Sequence, residues 1–205
     1  MKEIILNTLK LCLITLIAGV LLGGVYEITK KPRAIQEEKS KNEAYSKVFN
    51  KADSFKNYKY DKEKLKSYLK ENGYNEKTVY VNDAVLAVDK NGETLGYVIT
   101  ITDKEGYGGD VSFTIGINND GTINGISFLT LQETAGVGMK ADLKFKDQFK
   151  GMKAEKIEYI KSGKKNENQI DAISGATITT NAVTNGVNCG VCSFKYFKEG
   201  GNQNE

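Results

Sequence analysis

The segment Asp171-Ala172-Ile173-Ser174-Gly175-Ala176-Thr177 sets one carboxylate and two hydroxyls beside a glycine and two alanines, directly before a helical pattern that starts at Ile178. Small residues leave the backbone open to close approach, and the free N–H groups of a helix start favour an anion such as a phosphate. The same pattern also suits a plain helix cap made by Ser or Thr. A second candidate is Cys189-Gly190-Val191-Cys192, whose spacing suits dithiol redox chemistry, a disulfide or half of a metal site. Two ligands cannot close a metal site and no second pair exists, so no metal is expected. At about 100° per residue, Val183, Val187, Val191 and Phe194 form one helical stripe, and the two cysteines fall roughly opposite it, beside Ala182 and Tyr196. Buried small residues, a disulfide and a redox pair all remain open for them. The chain has no His and no Trp. That removes every site built on imidazole, from Ser-His-Asp nucleophiles to His-ligated zinc.

Positioning these segments takes one domain and one extra element, which 205 residues with 40% apolar content allow. The 29 Lys and Arg and 26 Asp and Glu are interleaved, so the net charge of +3 marks no nucleic-acid footprint. Leu11 to Val25 carries no charge, and a helix from Ile4 to Val25 would be roughly 33 Å long, enough to cross a hydrocarbon core. Lys10 lies near the N-terminal end of that run, where its amine can snorkel to headgroups. No small-x-small pattern follows the apolar run, so an uncleaved anchor is expected rather than a signal peptide. Lys2 and Lys10 on one side, with Lys30, Lys31 and Arg33 on the other, leave the orientation open by charge. Pro32 is expected to end the span.

Residues 34–72 are rich in Lys and Glu, with Tyr45, Val48, Phe49, Leu65, Tyr68 and Leu69 at helical spacings. Two amphipathic helices are predicted there, joined by Phe55 to Tyr60, as a solvated stalk. Strands are predicted at Val79–Val88, Thr94–Thr102, Val111–Asn118 and Thr122–Leu129, with Asn119-Asp120-Gly121 as a tight hairpin turn. Helices are predicted at Met139–Phe149 and from Ile178 to about Lys198, with a short strand running into the Asp171 turn. The expected fold class is α+β: an N-terminal transmembrane helix, then a domain with an antiparallel sheet and flanking helices. The expected divisions are a tail and anchor over 1–32, a stalk over 33–78, the domain over 79–198 and a tail over 199–205.

The string from Asp171 to Thr177 resembles the flavinylation motif Asp-x-x-Ser/Thr-Gly-Ala-Thr/Ser of FMN-binding domains. Leu131-Gln132-Glu133-Thr134-Ala135-Gly136-Val137-Gly138 is similar to that family's His-Glu-Thr-Pro-Gly-Leu-Gly loop, departing from it at Gln132 and Ala135. Gly106 to Gly109 resembles the glycine-rich turn that precedes the loop. The resemblance covers the anchor and roughly Val79 to Lys198. With the N-terminal span it resembles the G-subunit family of the Rnf complex, a membrane ferredoxin:NAD oxidoreductase that couples electron flow to sodium or proton transport. The C subunit of the sodium-translocating NADH:quinone oxidoreductase shares the motif and the anchor. The resemblance implies FMN joined covalently through its phosphate to Thr177 by a flavin transferase, with Ser174, Gly175 and Ala176 in the attachment turn. Glu133, Thr134 and Gly136 would line the flavin. It further implies an electron relay without a catalytic acid or base, other membrane subunits of the Rnf complex as partners, and a domain on the extracytoplasmic side of the cell membrane. Asp171 would bond the loop or be read by the transferase. Two readings of other classes stand beside it: a flavin-free anchored interaction module, and a membrane-tethered thiol oxidoreductase using Cys189 and Cys192.

Overall fold

In a computed structural model the chain divides into two compact units, Met1–Asn42 and Glu43–Glu205. The structure describes residues 1–134, 136, 138–142, 144–164 and 166–200. Ala135 and Val137 of the loop above, and residues 201–205 of the expected tail, lie outside the described residues.

The first unit is formed by most of α1 (Lys2–Val48), whose 18-residue apolar window is wholly unburied and long enough to cross a membrane. Thr8 Oγ1 donates to the Ile4 carbonyl at 2.9 Å and Thr29 Oγ1 to the Val25 carbonyl at 2.8 Å, so these hydroxyls are satisfied within the helix. The helix outlasts the expected end of the span: α1 runs through Pro32 to Val48. A proline removes one N–H and crowds one carbonyl, and here it sits in a long run of helix formers reinforced by an Arg33–Glu37 ion pair at 2.8 Å.

The second unit is built on a five-stranded antiparallel meander, in which each strand pairs with the next: β1 (Ser54–Asn57), β2 (Val79–Val88), β3 (Thr94–Asp103), β4 (Val111–Asn118) and β5 (Ile123–Leu131). Side chains alternate between its faces. Ile99 and Ile101 of β3 enter the main core with Phe113 and Ile115 of β4, whereas Val98 joins Val85 and Ala87 in a smaller core on the other face. The β4–β5 turn closes as predicted: Gly121 has φ +79°, and its N–H donates to the Asn118 carbonyl at 2.9 Å.

Residues 43–78 differ from the expected solvated stalk. Tyr45, Val48 and Phe49 close the smaller core, and Tyr58, Leu65 and Leu69 enter the main one. Gly116 makes room for this packing, since a Cβ there would lie 3.0 Å from the Phe49 ring. The apolar spacing was therefore that of a face packed on the sheet. The second amphipathic segment is α2 (Lys62–Glu71), capped by Asp61 Oδ1, which accepts from the Glu63 and Lys64 N–H groups.

After β5, the predicted helix over Met139–Phe149 is replaced by two 3₁₀ turns, Gly138–Asp142 and Lys146–Phe149. Ala141, Phe145 and Phe149 are all buried while Lys140 and Lys144 are exposed, an arrangement that two tight turns satisfy. β6 (Glu158–Ile160) and β7 (Gln169–Asp171) form a small parallel pair, and α3 (Thr177–Lys198) lies across the main face of the sheet. Gly190 permits that approach, because a Cβ there would come 2.8 Å from both Ile101 and Ile115. Asn185 Nδ2 donates to the buried Asp103 carboxylate at 2.8 Å, and Asn188 exchanges two hydrogen bonds, each 2.8 Å, with the backbone of Ile157.

Candidate functional site

The Asp171 turn lies between β7 and α3. Asp171 ends the strand, Ile173 is buried, Ser174 and Gly175 are exposed at the tip, and Thr177 is the first residue of the helix and exposed. Gly175 has φ +79°, a conformation that a side chain strains. The predicted Ser or Thr cap is absent, a correction with a consequence: Ala176 occupies the cap position and supplies no side-chain bond. Thr180, inside the first turn, accepts from the Ile173 N–H at 3.0 Å and so ties the turn to the helix. The start of a 22-residue helix is thus left without a side-chain cap, and its N–H groups and dipole favour an anion there.

A cavity of about 460 Å3 opens at this helix start. Gly175, Ala176 and Thr177 form one wall, with Ile178 and Thr179 beyond them, and Tyr107, Glu133, Thr134 and Gly138 form the opposite one. Glu133 organises that second wall. Its Oε1 accepts from the Tyr107 N–H at 3.0 Å, while its Oε2 is buried without a hydrogen-bond partner among the described residues. Close approach of the two glycine segments makes this possible: a Cβ on Gly138 would lie 2.6 Å from Glu133 Cβ, and one on Gly108 would overlap the Gln132 carbonyl. The Thr134 carbonyl accepts from the Met139 N–H at 3.3 Å and ties the loop to the first 3₁₀ turn.

The structure therefore brings Glu133 and Thr134 together with Gly175, Ala176 and Thr177. Gly136 sits in the turn of the same loop, with φ +74°, and is not on the cavity wall. Ser174 lines a neighbouring cavity of about 420 Å3 instead, with Lys140, Lys144 and Gln148. The sequence reading did not single out Tyr107 as a site residue. Its signal was its place inside the Gly106–Gly109 turn. The residues fit a planar cofactor that carries a phosphate. The volume is in the range of small-molecule sites, an uncapped helix start suits the phosphate, and an orphaned carboxylate oxygen suits a ring N–H.

Cys189 and Cys192 are buried free thiols in the middle of α3. Burial pushes both thiols up from their ordinary range, helped at Cys189 by its neighbours Cys192 and Asp103. Asp103, also buried, has its carboxyl raised by the same desolvation, against the lowering effect of the Asn185 bond. Among the described residues, no group of three or more His, Cys, Asp or Glu could hold a metal.

A family model described as FMN-binding domain matches residues 106–191. The chain is 32% identical over 181 residues to the G subunit of the proton-translocating ferredoxin:NAD(+) oxidoreductase complex of Clostridium ljungdahlii, over 88% of this chain and 85% of that relative. It is 42% identical over 103 residues to the G subunit of the Na(+)-translocating ferredoxin:NAD(+) oxidoreductase complex of Acetobacterium woodii, and there the match spans 49% of this chain and only 50% of the relative. The G subunit of the ion-translocating oxidoreductase complex of Aliivibrio fischeri matches at 27% identity over 94% of this chain and 91% of its own. Among solved structures, NqrC of Shewanella oneidensis superposes with a TM-score of 0.49 at 21% identity, covering 61% of this chain and 69% of that one.

Proposed function

The chain belongs to the G-subunit family of ion-translocating oxidoreductase complexes, and from that premise we propose that it is an electron-carrying flavoprotein subunit whose FMN is held covalently at Thr177. The observation that carries this reading is the uncapped start of α3, where an exposed Thr177 borders a cavity that Glu133, with its unpartnered Oε2, also lines. Bound there, FMN would supply reversible one- and two-electron chemistry.

The chain's own groups do the holding. Thr177 Oγ1 provides the ester oxygen, so retention does not depend on contact area. The N–H groups at the start of α3 and its dipole balance the phosphate charge. Glu133 Oε2 offers an acceptor to a ring N–H, and Gly138 lets the loop backbone close behind it. Outside α1, the large apolar side chains with substantial exposure among the described residues are Tyr107 at 69%, Ile178 at 50% and Met139 at 47%. Tyr107 and Ile178 line the cavity and Met139 follows Gly138 in sequence, so these exposed apolar side chains of the described residues gather by the cavity. That is where an electron partner has to approach. The partners are taken to be other membrane subunits of an Rnf-type complex coupled to sodium or proton transport. A flavin transferase would load the FMN, and the domain would lie on the extracytoplasmic side.

The test is the intact mass of the full chain co-expressed with a flavin transferase, beside a Thr177→Val variant. One phosphoester-linked FMN on the wild type, fluorescent on a denaturing gel and lost in the variant, is the expected result. No added mass under conditions that load a control FMN-binding domain would leave the anchored, flavin-free module as the reading to pursue. Proteolysis of the second unit in intact spheroplasts, where the extracytoplasmic side alone is accessible, tests the sidedness.

A further inference from the structure

The turn that carries Thr177 is held by two side chains outside its seven-residue string. Gln148, in the second 3₁₀ turn, bonds twice to the backbone of one residue: its Oε1 accepts from the Asp171 N–H at 2.8 Å, and its Nε2 donates to the Asp171 carbonyl at 3.0 Å. Among the described residues β7 has a strand partner on one edge, β6, and Gln148 supplies on the other edge the donor and acceptor that a further strand would. The next residue, Ala172, donates to the Ile160 carbonyl at 2.7 Å. Thr180, fully buried, closes the far side: its Oγ1 accepts from the Ile173 N–H at 3.0 Å and donates to the Ala176 carbonyl at 2.9 Å. The backbone N–H groups of residues 171, 172 and 173 are thus each committed to a different element, and the exposed Ser174-Gly175 tip and Thr177 follow from a fixed base.

We propose that Gln148 and Thr180 are positioning residues for covalent loading of the cofactor: they hold the Asp171–Ala176 turn in the shape that presents the Thr177 hydroxyl to an activated flavin. The inference rests on the FMN reading above. Its chemistry requires a preorganised hydroxyl. A phosphate monoester does not esterify an alcohol unaided in water, so the flavin phosphate must arrive activated as an anhydride, here taken as a flavin dinucleotide. The Thr177 Oγ1–phosphorus bond forms as the pyrophosphate P–O bond breaks, and the nucleoside monophosphate leaves with the bonding pair. The hydroxyl proton passes to a base on the transferase, and no electrons change hands. Holding the nucleophile in line is the domain's contribution to that step.

The experiment uses the full chain in detergent, purified flavin-free, with flavin transferase and flavin adenine dinucleotide. Initial rates of FMN incorporation are read by denaturing-gel fluorescence over a range of protein concentrations, well below the unfolding temperature of each variant. Gln148→Ala and Thr180→Val should lower the maximal rate between roughly tenfold and a hundredfold, with the half-saturating protein concentration little changed because the residues of the string are intact. Thr180→Ser keeps the bridging oxygen and should restore the wild-type rate. Gln148→Glu, which keeps the acceptor and loses the donor, should fall between wild type and alanine and stands in if the alanine variant does not fold. A purely structural role predicts a different result: lower melting temperatures with an unchanged maximal rate in the folded protein. Wild-type rates for folded Gln148→Ala and Thr180→Val would overturn the inference while leaving the FMN reading intact. A wild type that takes up no FMN would overturn both.

Discussion

Helix α3 carries two chemically suggestive groups of residues, and the structure treats them in opposite ways. Thr177 stands exposed at an uncapped helix start beside a cavity. Twelve residues further on, roughly 18 Å at about 1.5 Å per residue, Cys189 is sealed under the sheet, with Cys192 buried one turn later. A helix start offers unmet N–H groups and a favourable dipole for an anion; a helix middle offers neither. The thiols are moved away from reactivity, since burial raises both and disfavours the thiolate that dithiol chemistry needs. Residue type made both segments candidates. Position along one helix separates them.

The largest effect expected is at the open end. Thr177→Val should abolish covalent flavin altogether, whereas Thr177→Ser, which keeps a hydroxyl at the same place, should retain it; intact mass separates the two outcomes. The contrast with the buried pair breaks if Thr177→Val still carries bound mass, because attachment would then lie elsewhere.

Next in size is the packing that seals the middle of α3. A Cβ on Gly190 would meet Ile101 Cδ1 and Ile115 Cγ2 at 2.8 Å, and Cγ2 is held by the Ile115 Cβ that carries it. Alanine there should therefore cost about 1 kcal/mol, because the overpacking is only partly offset by better helix propensity. Gly190→Leu adds a larger side chain to the same contact and should cost more, about 3 kcal/mol in urea unfolding. A leucine variant as stable as wild type would mean that α3 lies further from the sheet than the closeness of Gly190 to Ile101 and Ile115 indicates.

The two regions also differ in how much of them was legible in the residues. The four long strands, the hairpin turn at Asn119-Asp120-Gly121 and α3 follow from periodicity and turn chemistry, which are local signals. The Asp171–Thr177 string and the Glu133 loop could be read as candidates for the same reason, since each is contiguous. What could not be read is whatever depends on distant partners. Tyr45, Val48 and Phe49 have helical spacing whether they face water or a sheet, and only the sheet's other face decides between them. Gln148 lies in a Lys-rich stretch with nothing to mark it, and its role exists only because β7 ends beside it. The missing cap at Ala176 is of the same kind, because only the fold shows that the alanine, and neither Ser174 nor Thr177, takes the cap position.

Asp103 ties the two regions together through Asn185 and provides a smaller, pH-dependent test. Its carboxyl is raised by burial, so its folded pKa lies above the unfolded value near 3.8. Below that value both states are protonated and the associated stability is fully present; it is lost as pH rises through the raised folded pKa. Wild type should therefore lose stability relative to Asp103→Asn as the pH rises from about 4 through the raised folded pKa, by about 1.4 kcal/mol for each pH unit between the two pKa values. A difference that is flat with pH would show that the carboxyl titrates as it does in the unfolded chain.

The smallest effect is expected where the chemistry looked most inviting. Replacing both Cys189 and Cys192 by Ala should leave flavin loading unchanged and shift stability by no more than about 1–2 kcal/mol, because each loses one buried sulfur without exposing a polar partner. In a Cys12→Ser background, a small alkylating reagent should label neither thiol in the native protein and both in urea, since access and thiolate formation are withheld together. Rapid native labelling of Cys189, or loss of covalent flavin in the double variant, would mean that the middle of α3 opens on the timescale of function. The division between a reactive end and a sealed middle would then fail, and the thiol oxidoreductase reading would have to be taken up again.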